Sequence, residues 1–364
     1  MKKIYLLFIL GLLSMVASAE DIEINGIKYN LISKAKEAEV IKSDNYSGDI
    51  VIPESVFYEG TTFIVTSIGS GAFANSENVT SVIIPNNVTV IGESAFFHTK
   101  KIKSITLPNS IKTIGNYAFK DSGIETIKIP NSVQAIGHHA FSGCLNLISI
   151  DLPDNNPYYD YAVFSECEKL ENVKIPERKT AIEQAMFYGC KSLKSISIPS
   201  SVETIGYGAF QNCIGFTDFT IPDGVKELKR EAFAGCKGIK KFTLGAGMTN
   251  IGYETFANCD NLSDIICYAT NPPITDKTAF NGSYPQYMTL HVKSTSIDKY
   301  KEMEPWSGFG KILGIQDADG INSIINDAQN ARIYNMRGNR LDNLQKGVNI
   351  IRTENGSVKK IMIK

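Results

Sequence analysis

The sequence predicts a β-rich solenoid of about nine tandem repeats, each ~23 residues long, with short helical or 3₁₀ turns, a β cap at each end and a small C-terminal β module. Three observations carry this prediction: a phenylalanine, a strand that ends in proline and a cysteine all return with one common period. A repeat array is one continuous unit, so it replaces the two or three globular domains that a chain of 364 residues would otherwise predict.

The period is defined by a phenylalanine in the pattern IGxxAF. One full unit reads CKSLKSISIPSSVETIGYGAFQN (Cys190 to Asn212). This period of about 23 residues falls within the range of leucine-rich repeats and is too short for tetratricopeptide or ankyrin units. We expect one turn of the solenoid per unit, with the phenylalanine rings stacked in the interior. These phenylalanines, evenly spaced except for one step that is shorter by a single residue, are Phe73, Phe96, Phe119, Phe141, Phe164, Phe187, Phe210, Phe233 and Phe256.

Each unit begins with a strand pattern, LxxIxI, whose alternation indicates one buried face. The proline that follows has no N–H to continue the ladder, so it ends the strand at the same depth in each turn. A second extended piece then leads to a glycine, Gly206 in the unit above, which we expect to adopt a backbone conformation closed to other residues. Ala209 and Phe210 follow on a short helical or 3₁₀ turn. The strand-ending prolines are Pro85, Pro108, Pro130, Pro153, Pro176, Pro199 and Pro222.

Cysteine forms a third ladder with the same period. Side chains in such a ladder point in parallel and not at each other, so we expect buried, reduced thiols that act as small hydrophobic groups. Ser76, Thr99 and Ser122 take the equivalent place in earlier units, which indicates that the place needs a small side chain and not a disulfide partner. The ladder cysteines are Cys144, Cys167, Cys190, Cys213, Cys236 and Cys259, and Cys267 lies outside the ladder.

With these letters laid out, the sequence resembles the BspA-like surface proteins, the treponemal type of leucine-rich repeat. The match is carried by LKSISIPSSVETIGYGAFQNC (Leu193 to Cys213) and ITLPNSIKTIGNYAF (Ile105 to Phe119), and it covers roughly residues 49–315. The resemblance implies a leucine-rich repeat fold and adhesion to host or microbial macromolecules. Where the glycine or its isoleucine is replaced, we expect turns that bulge or curve differently. Those departures are at Tyr159-Asp160, Glu183 and Lys229.

The predicted organisation has five parts. Residues 1–19 form a secretory signal peptide, with two lysines, an apolar run and a small-residue cleavage site before Glu20. Residues 20–66 form the N-terminal β cap, 67–266 the repeat array and 267–316 the C-terminal cap, which Trp306 and Phe309 close. Residues 317–364 form a β tail that resembles the C-terminal sorting domains of the type 9 secretion system. We therefore expect a secreted protein, extracellular or on the outer cell surface, without a transmembrane segment in the mature chain.

Composition and motifs exclude several functions. The balance of 37 basic against 38 acidic residues provides no broad positive electrostatic potential that could attract nucleic acid. The sequence contains no GxSxG, HExxH, P-loop or GxGxxG motif and only scattered histidines, so no catalytic, cofactor-binding or metal-binding residue is predicted. His138 and His139 lie at the variable positions of IGHHAF, on an exposed or half-exposed loop.

A binding role remains, on the side chains of LxxIxI that point outward. We expect these to form the concave face of the first sheet and to contact a protein or glycan ligand, although Ser and Thr also suit any exposed β surface. The alternative is a structural or carbohydrate-capture component of the cell envelope, and an exposed row of aromatic side chains would favour glycan capture. The candidate contact residues are Ser104, Thr106, Thr126, Lys128, Ser149, Asp151, Asn172, Lys174, Ser195, Ser197, Asp218, Thr220, Lys241 and Thr243.

Overall fold

The computed structural model describes residues 20–315, 332–335, 338–341, 347–352 and 358–363. The predicted signal peptide lies outside the described residues. The chain begins with a β-meander in which β1 pairs with β2 and β2 with β3, all antiparallel. The meander joins the solenoid because β3 runs parallel to β6. These N-terminal strands are β1 (Glu20–Ile24), β2 (Ile27–Ile32), β3 (Glu37–Val40), β4 (Gly48–Val51), β5 (Ser55–Tyr58) and β6 (Thr61–Ile68).

Each following turn contributes up to two short parallel strands, which form two rows of strands along the solenoid. Strands that carry LxxIxI form the first row, here called the first sheet, whose hydrogen-bonded ladder is broken into three segments. The short strands before the glycine form the second row, here called the second sheet, whose ladder is broken into two. In chain order they are β7 (Val79–Ile83), β8 (Val90–Ile91), β9 (Thr113–Ile114), β10 (Ala135–Ile136), β11 (Ser149–Asp151), β12 (Tyr158–Tyr159), β13 (Asn172–Lys174), β14 (Ala181–Ile182), β15 (Thr204–Ile205), β16 (Asp218–Thr220), β17 (Glu227–Leu228), β18 (Lys241–Leu244), β19 (Asn250–Ile251), β20 (Asp264–Cys267) and β21 (Ile274–Thr275).

The register between neighbouring turns equals the sequence period. Ser149 pairs with Asn172 in the first sheet, and Thr204 pairs with Glu227 in the second. The leucine-rich repeat solenoid that the sequence predicts is therefore confirmed. It has about twelve stacked turns, more than the nine that carry the repeated phenylalanine, because strands on both sides of the array continue the first sheet. β4 pairs in parallel with β7 at one end, and β22 (Thr289–Lys293) and β23 (Lys311–Ile315) follow β20 at the other.

The interior is a column of aromatic rings, as predicted. Adjacent rings from Phe73 to Phe141 stack at 5.1 Å between centroids. Tyr46 extends the column at the N-terminal end, 4.9 Å from Phe73, and Phe280 extends it at the other end, 5.4 Å from Phe256. Trp306 is fully buried against Phe280 and closes the column, so its predicted place in the core of the cap is confirmed.

The segment around each phenylalanine is a series of short hydrogen-bonded reverse turns and not a helix. In the unit of Phe210, the N–H of Ala209 donates to the carbonyl of Gly206, that of Gln211 to Gly208 and that of Cys213 to Phe210. Among the described residues, helices occur only in the C-terminal cap. They are the 3₁₀ helices Pro285–Tyr287, Ser294–Ser296 and Trp306–Gly308, and α1 (Ile297–Lys301).

The glycine before each of these turns is not needed for an unusual φ, which is the reason that the sequence predicts. The left-handed backbone conformation occurs two residues later, at Gly208 with φ +55°, and Ser94, Glu231 and Glu254 adopt it at the same place in other turns. A Cβ on Gly206 would instead lie 2.7 Å from the carbonyl oxygen of Ile182 in the preceding turn. Glycine is therefore required by the close approach of two backbones and not by an unusual φ.

Two successive turns lack this glycine, and the ladder of the second sheet is interrupted between them. The centroids of Phe164 and Phe187 lie 6.1 Å apart, and both turns replace the glycine, with Asp160 and Glu183. Glu183 receives a hydrogen bond of 2.6 Å from the buried ammonium of Lys179, which takes the place of a core valine. Burial raises the pKa of Glu183, opposed by the charge of Lys179. A buried ion pair thus replaces apolar packing at these turns.

The cysteine ladder is buried and unpaired, as predicted. All seven thiols are free, and each ladder thiol donates to the carbonyl of the phenylalanine in the preceding turn, as Cys213 does to Phe187 at 3.0 Å. Ser76, Thr99 and Ser122 are buried in the equivalent places. One further member escapes sequence analysis: Ser283 follows Phe280 and donates to the carbonyl of Phe256.

The described residues near the C-terminus form a four-stranded antiparallel sheet in the order β25-β24-β26-β27. The described residues of the predicted tail at 317–364 are therefore β structure. The strands are β24 (Arg332–Asn335), β25 (Arg340–Leu341), β26 (Gly347–Arg352) and β27 (Val358–Ile363).

Candidate functional site

The fourteen candidate contact residues lie on one face of the first sheet, here called the outward face. They alternate with buried apolar residues such as Ile150, Phe219 and Phe242, so the strand pattern puts one set of side chains in the core and the other on the surface. Twelve of the fourteen are exposed, and only Ser149 and Thr243 are half-buried. Because the register equals the period, equivalent residues of successive turns form two straight rows.

Two grooves lie on the outward face, at places where the hydrogen-bonded ladder of the first sheet is interrupted. The larger groove has a volume of about 580 Å³ and is lined by Thr106, Lys128 and Asp151, among others. The smaller, of about 320 Å³, lies between Ser197 and Thr220. Near the larger groove the ladder of the first sheet is reduced to single bridges at Ser104, Thr126 and Ser149.

Main-chain groups are also free along these grooves. Within the described residues, the backbone groups of Thr106, Lys128 and Ser197 make no backbone–backbone hydrogen bond, whereas the residues of β16 and β18 pair along their whole length. Unpaired main-chain donors and acceptors must be satisfied by water or by a ligand. The larger groove thus combines hydroxyls, charges of both signs and backbone groups that can bind an extended polymer, and the smaller groove combines hydroxyls, backbone groups and the carboxylate of Asp218.

The charges of the outward face alternate along one row, from Lys128 to Asp151 to Lys174 in successive turns. Such a row favours a ligand with charges of both signs, or a neutral polar ligand, over a polyanion. This is consistent with the expectation that nucleic acid is not a partner.

The outward face extends beyond the candidate contact residues at both ends. Val51 and Ile83 are paired at the N-terminal end and are exposed by 61% and 59%. At the C-terminal end the same row continues through His291 to the exposed Leu313. Both ends lie outside the candidate contact residues, which the sequence analysis took from the middle of the array. The row is therefore polar in its middle and apolar towards its ends.

Carboxylates on the other row are fixed by neighbouring hydroxyls. Asp49 accepts hydrogen bonds from Ser81 at 2.6 Å and Thr80 at 2.8 Å, and these bonds lower its pKa. Asp264 accepts from Ser263 and lies 3.3 Å from the Nε2 atom of His291, and these contacts lower its pKa as well. These carboxylates are ionised and oriented at neutral pH.

The histidine pair lies on the turn that precedes Ala140 and Phe141. His138 and His139 are half-buried, and burial together with the neighbouring His138 lowers the pKa of His139. Among the described residues there is no group of three or more His, Cys, Asp or Glu side chains that could hold a metal ion. No helix within those residues has the length and apolar character to cross a membrane.

These features define the class of the protein as a leucine-rich repeat solenoid with a polar face. A family model described as the BspA type leucine rich repeat region matches residues 66–194 and 180–301, in six copies. The chain therefore belongs to the BspA-type leucine-rich repeat family. Solenoids of this class present extended surfaces that serve as binding scaffolds.

Solved structures of similar fold include proteins from two bacteria. A leucine-rich repeat protein from Bacteroides ovatus is 23% identical, with a TM-score of 0.56, over 80% of this chain and 88% of that one. A leucine rich cell surface protein from Faecalibacterium prausnitzii is 24% identical, with a TM-score of 0.54, over 84% of this chain and 98% of that one. At these identities the likeness shows the fold alone. Comparison with curated protein sequences gives no significant match.

Proposed function

We propose that this protein is a non-catalytic binding protein, secreted or held at the cell surface, that adheres to host or microbial macromolecules through the outward face. The observation that carries the proposal is the pair of grooves, where hydroxyls, alternating charges and unpaired main-chain groups lie together along several turns. Many weak contacts along such a face suit an extended protein ligand, since the candidate contact residues include no aromatic anchor. Membership of the family and the cell-surface description of the Faecalibacterium protein support the location.

The test is binding of the purified mature protein to a panel of immobilised extracellular-matrix proteins and glycans. The informative variant replaces Lys128, Asp151 and Lys174 by serine. Surface substitutions of this kind leave the stability almost unchanged, so a loss of binding reports on the contact itself. We expect specific binding by the wild type and a loss of roughly tenfold or more in affinity for the variant.

A matched control carries the same change of charge elsewhere. It replaces Lys226, Lys237 and Asp260 by serine; these are exposed residues of surface ion pairs that contribute little stability. The control should bind as the wild type does. Equal binding by wild type, variant and control would contradict the outward face as the site, and no binding to the panel would favour a structural role in the envelope.

A further inference from the structure

We propose a second binding site, distinct from the outward face, that takes a linear alkyl polyamine. The site is a groove on the outer side of the second sheet, here called the glycine groove, with a volume of about 530 Å³. It extends over the turns between Glu39 in the N-terminal cap and Asp160, which is the first residue to replace the glycine of the pattern. None of the residues that line it lines the two grooves of the outward face.

The floor of the glycine groove is bare backbone. A Cβ on Gly92 would lie 2.7 Å from the carbonyl carbon of Gly69, and a Cβ on Gly115 or Gly137 would lie as close to backbone atoms of its own preceding turn. No side chain can therefore fill the groove, because successive backbones already touch at each of these glycines. The residues that flank this floor are Ser70, Val90, Thr113, Asn116 and Ala135.

The charges that line the glycine groove have one sign. Its charged side chains are Glu39, Glu93 and Asp160, and no lysine, arginine or histidine is among the described residues that line it. Further along the second sheet the same side carries both signs, because Lys229 takes the glycine position and forms an ion pair with Glu227. Charge complementarity in the groove therefore favours a cationic ligand.

These three carboxylates retain hydrogen-bonding capacity for such a ligand. Glu93 is exposed and makes no ion pair with the described residues. Glu39 accepts a long hydrogen bond of 3.5 Å from the hydroxyl of Ser67. Asp160 accepts a hydrogen bond of 2.8 Å from the N–H of the next residue and lies 3.6 Å from the Nδ1 atom of His138. Each carboxylate has about four acceptor sites, so all three can still accept hydrogen bonds from ammonium groups.

The floor distinguishes a polyamine from a basic peptide. Its main-chain groups already pair between turns, since the N–H of Gly115 donates to Ile91 at 2.8 Å and that of Gly137 to Ile114 at 2.9 Å. A peptide would bury its own N–H and C=O groups in the groove without partners, which is costly. A polyamine has only methylene groups between its ammonium groups. These methylenes can pack on the glycines and on Val90, which is 38% exposed.

The experiment is calorimetric titration of the purified mature protein with spermidine, at low and at physiological ionic strength. We expect saturable binding that weakens with added salt, because the contacts are electrostatic and lie near the surface. The double variant Glu93→Gln with Asp160→Asn removes two charges and keeps the size of each side chain. It should fold as the wild type does by far-UV circular dichroism and bind spermidine roughly tenfold more weakly or less.

A matched control removes the same charge elsewhere. The double variant Glu203→Gln with Asp260→Asn neutralises two exposed carboxylates that do not line the glycine groove, and it should bind spermidine as the wild type does. The outward-face variant with Lys128, Asp151 and Lys174 replaced by serine should also retain spermidine binding, so the two sites are tested separately. Equal weakening by both double variants would show that only the net charge matters, and it would overturn the proposal.

Two further ligands test the chemistry of the site. Hexaamminecobalt(III) carries the same charge as spermidine in a compact form, and trilysine carries its ammonium groups on a peptide. Both should bind roughly tenfold more weakly than spermidine or less. Absence of saturable spermidine binding by the wild type, or equal binding of the compact ion, would overturn the proposal. Tighter binding of trilysine, lost in the variant of Glu93 and Asp160, would also overturn it and make the groove a site for a basic peptide.

Discussion

At the scale of single residues, the glycine of each turn shows how a solenoid restricts a side chain without restricting φ. Gly206 has a backbone conformation open to any residue, yet three backbone atoms of the preceding turn lie within 2.8 Å of the position its Cβ would take. Backbone atoms cannot rotate away as a flexible side chain can. The contact between successive turns, and not φ, therefore excludes a side chain at Gly206.

Gly206→Ala should lower the free energy of unfolding by about 1–3 kcal/mol, the usual cost of overpacking. Urea denaturation followed by far-UV circular dichroism measures it. The control is Gly308→Ala, because no atom lies within 4 Å of the added Cβ there and φ is not left-handed. The control should change stability by less than about 0.5 kcal/mol. Equal effects at both positions would contradict the contact between turns as the cause.

The thiols are predicted to be unreactive in the native state. Burial raises the pKa of Cys144 and of Cys259 to about 12, and that of Cys167, Cys190, Cys213 and Cys236 well above its ordinary value, so almost no thiolate exists near neutral pH. A thiol reagent should therefore modify none of the seven cysteines in the native protein and all seven in denaturant. Rapid labelling before unfolding would contradict the buried ladder.

At the scale of an element, the buried ion pair of Lys179 and Glu183 distinguishes one turn from its neighbours. The same two places hold Val202 and Gly206 in the next turn, so the pair replaces an apolar contact and a glycine. One carboxylate oxygen of Glu183 is buried without a hydrogen-bond partner, so its desolvation is incompletely compensated.

Lys179→Val alone should lower the free energy of unfolding by about 3–5 kcal/mol, because it leaves the carboxylate of Glu183 buried without its cation. The double variant Lys179→Val with Glu183→Gly restores the pattern of the neighbouring turn, and it should be as stable as the wild type or more stable by about 1–4 kcal/mol. Thermal unfolding of the wild type, both single variants and the double variant tests this. Additive losses in the double variant would rule the explanation out.

The sequence was sufficient to predict the structural features that return once in every repeat. The phenylalanine column, the strand ends at proline and the cysteine ladder follow from letters that return once in every turn. Phe280 and Ser283 were missed because the step from Phe256 to Phe280 is one residue longer than the period, and their turn has Asp276 in place of the glycine of the pattern. The row formed by the first variable position of IGxxAF was missed for the opposite reason: its residues vary from turn to turn, and only the stacked register shows that they are neighbours. The grooves depend on small separations between strands that no residue type encodes.

At the scale of the whole molecule, each turn contacts only its neighbours, so cooperativity depends on an unbroken column of rings. Phe210 lies near the middle of this column, fully buried, with its ring centre 5.6 Å from that of Phe187 and 5.3 Å from that of Phe233. Trp306, the single tryptophan, reports on the C-terminal end alone.

Phe210→Ala should lower the free energy of unfolding by about 3–5 kcal/mol through the cavity that it creates. It should also separate the urea transition of Trp306 fluorescence from that of far-UV circular dichroism, because the two halves of the solenoid lose their coupling. In the wild type the two transitions should coincide. Phe57→Ala serves as the control, since Phe57 is 68% exposed and lies outside the column; separated transitions in that variant would point to another cause.

Because the cysteine ladder is buried, the native fold protects its own thiols from oxidation. Folded, the molecule can pass through an oxidising medium with every thiol still reduced, and it needs no isomerase to sort partners. Once unfolded in the same medium, one chain exposes a set of nearly equivalent thiols, and random cross-links between them would block the return to the stacked register. Unfolding is then a one-way event, so the lifetime of the protein under oxidising conditions is set by its unfolding rate and not by its equilibrium stability.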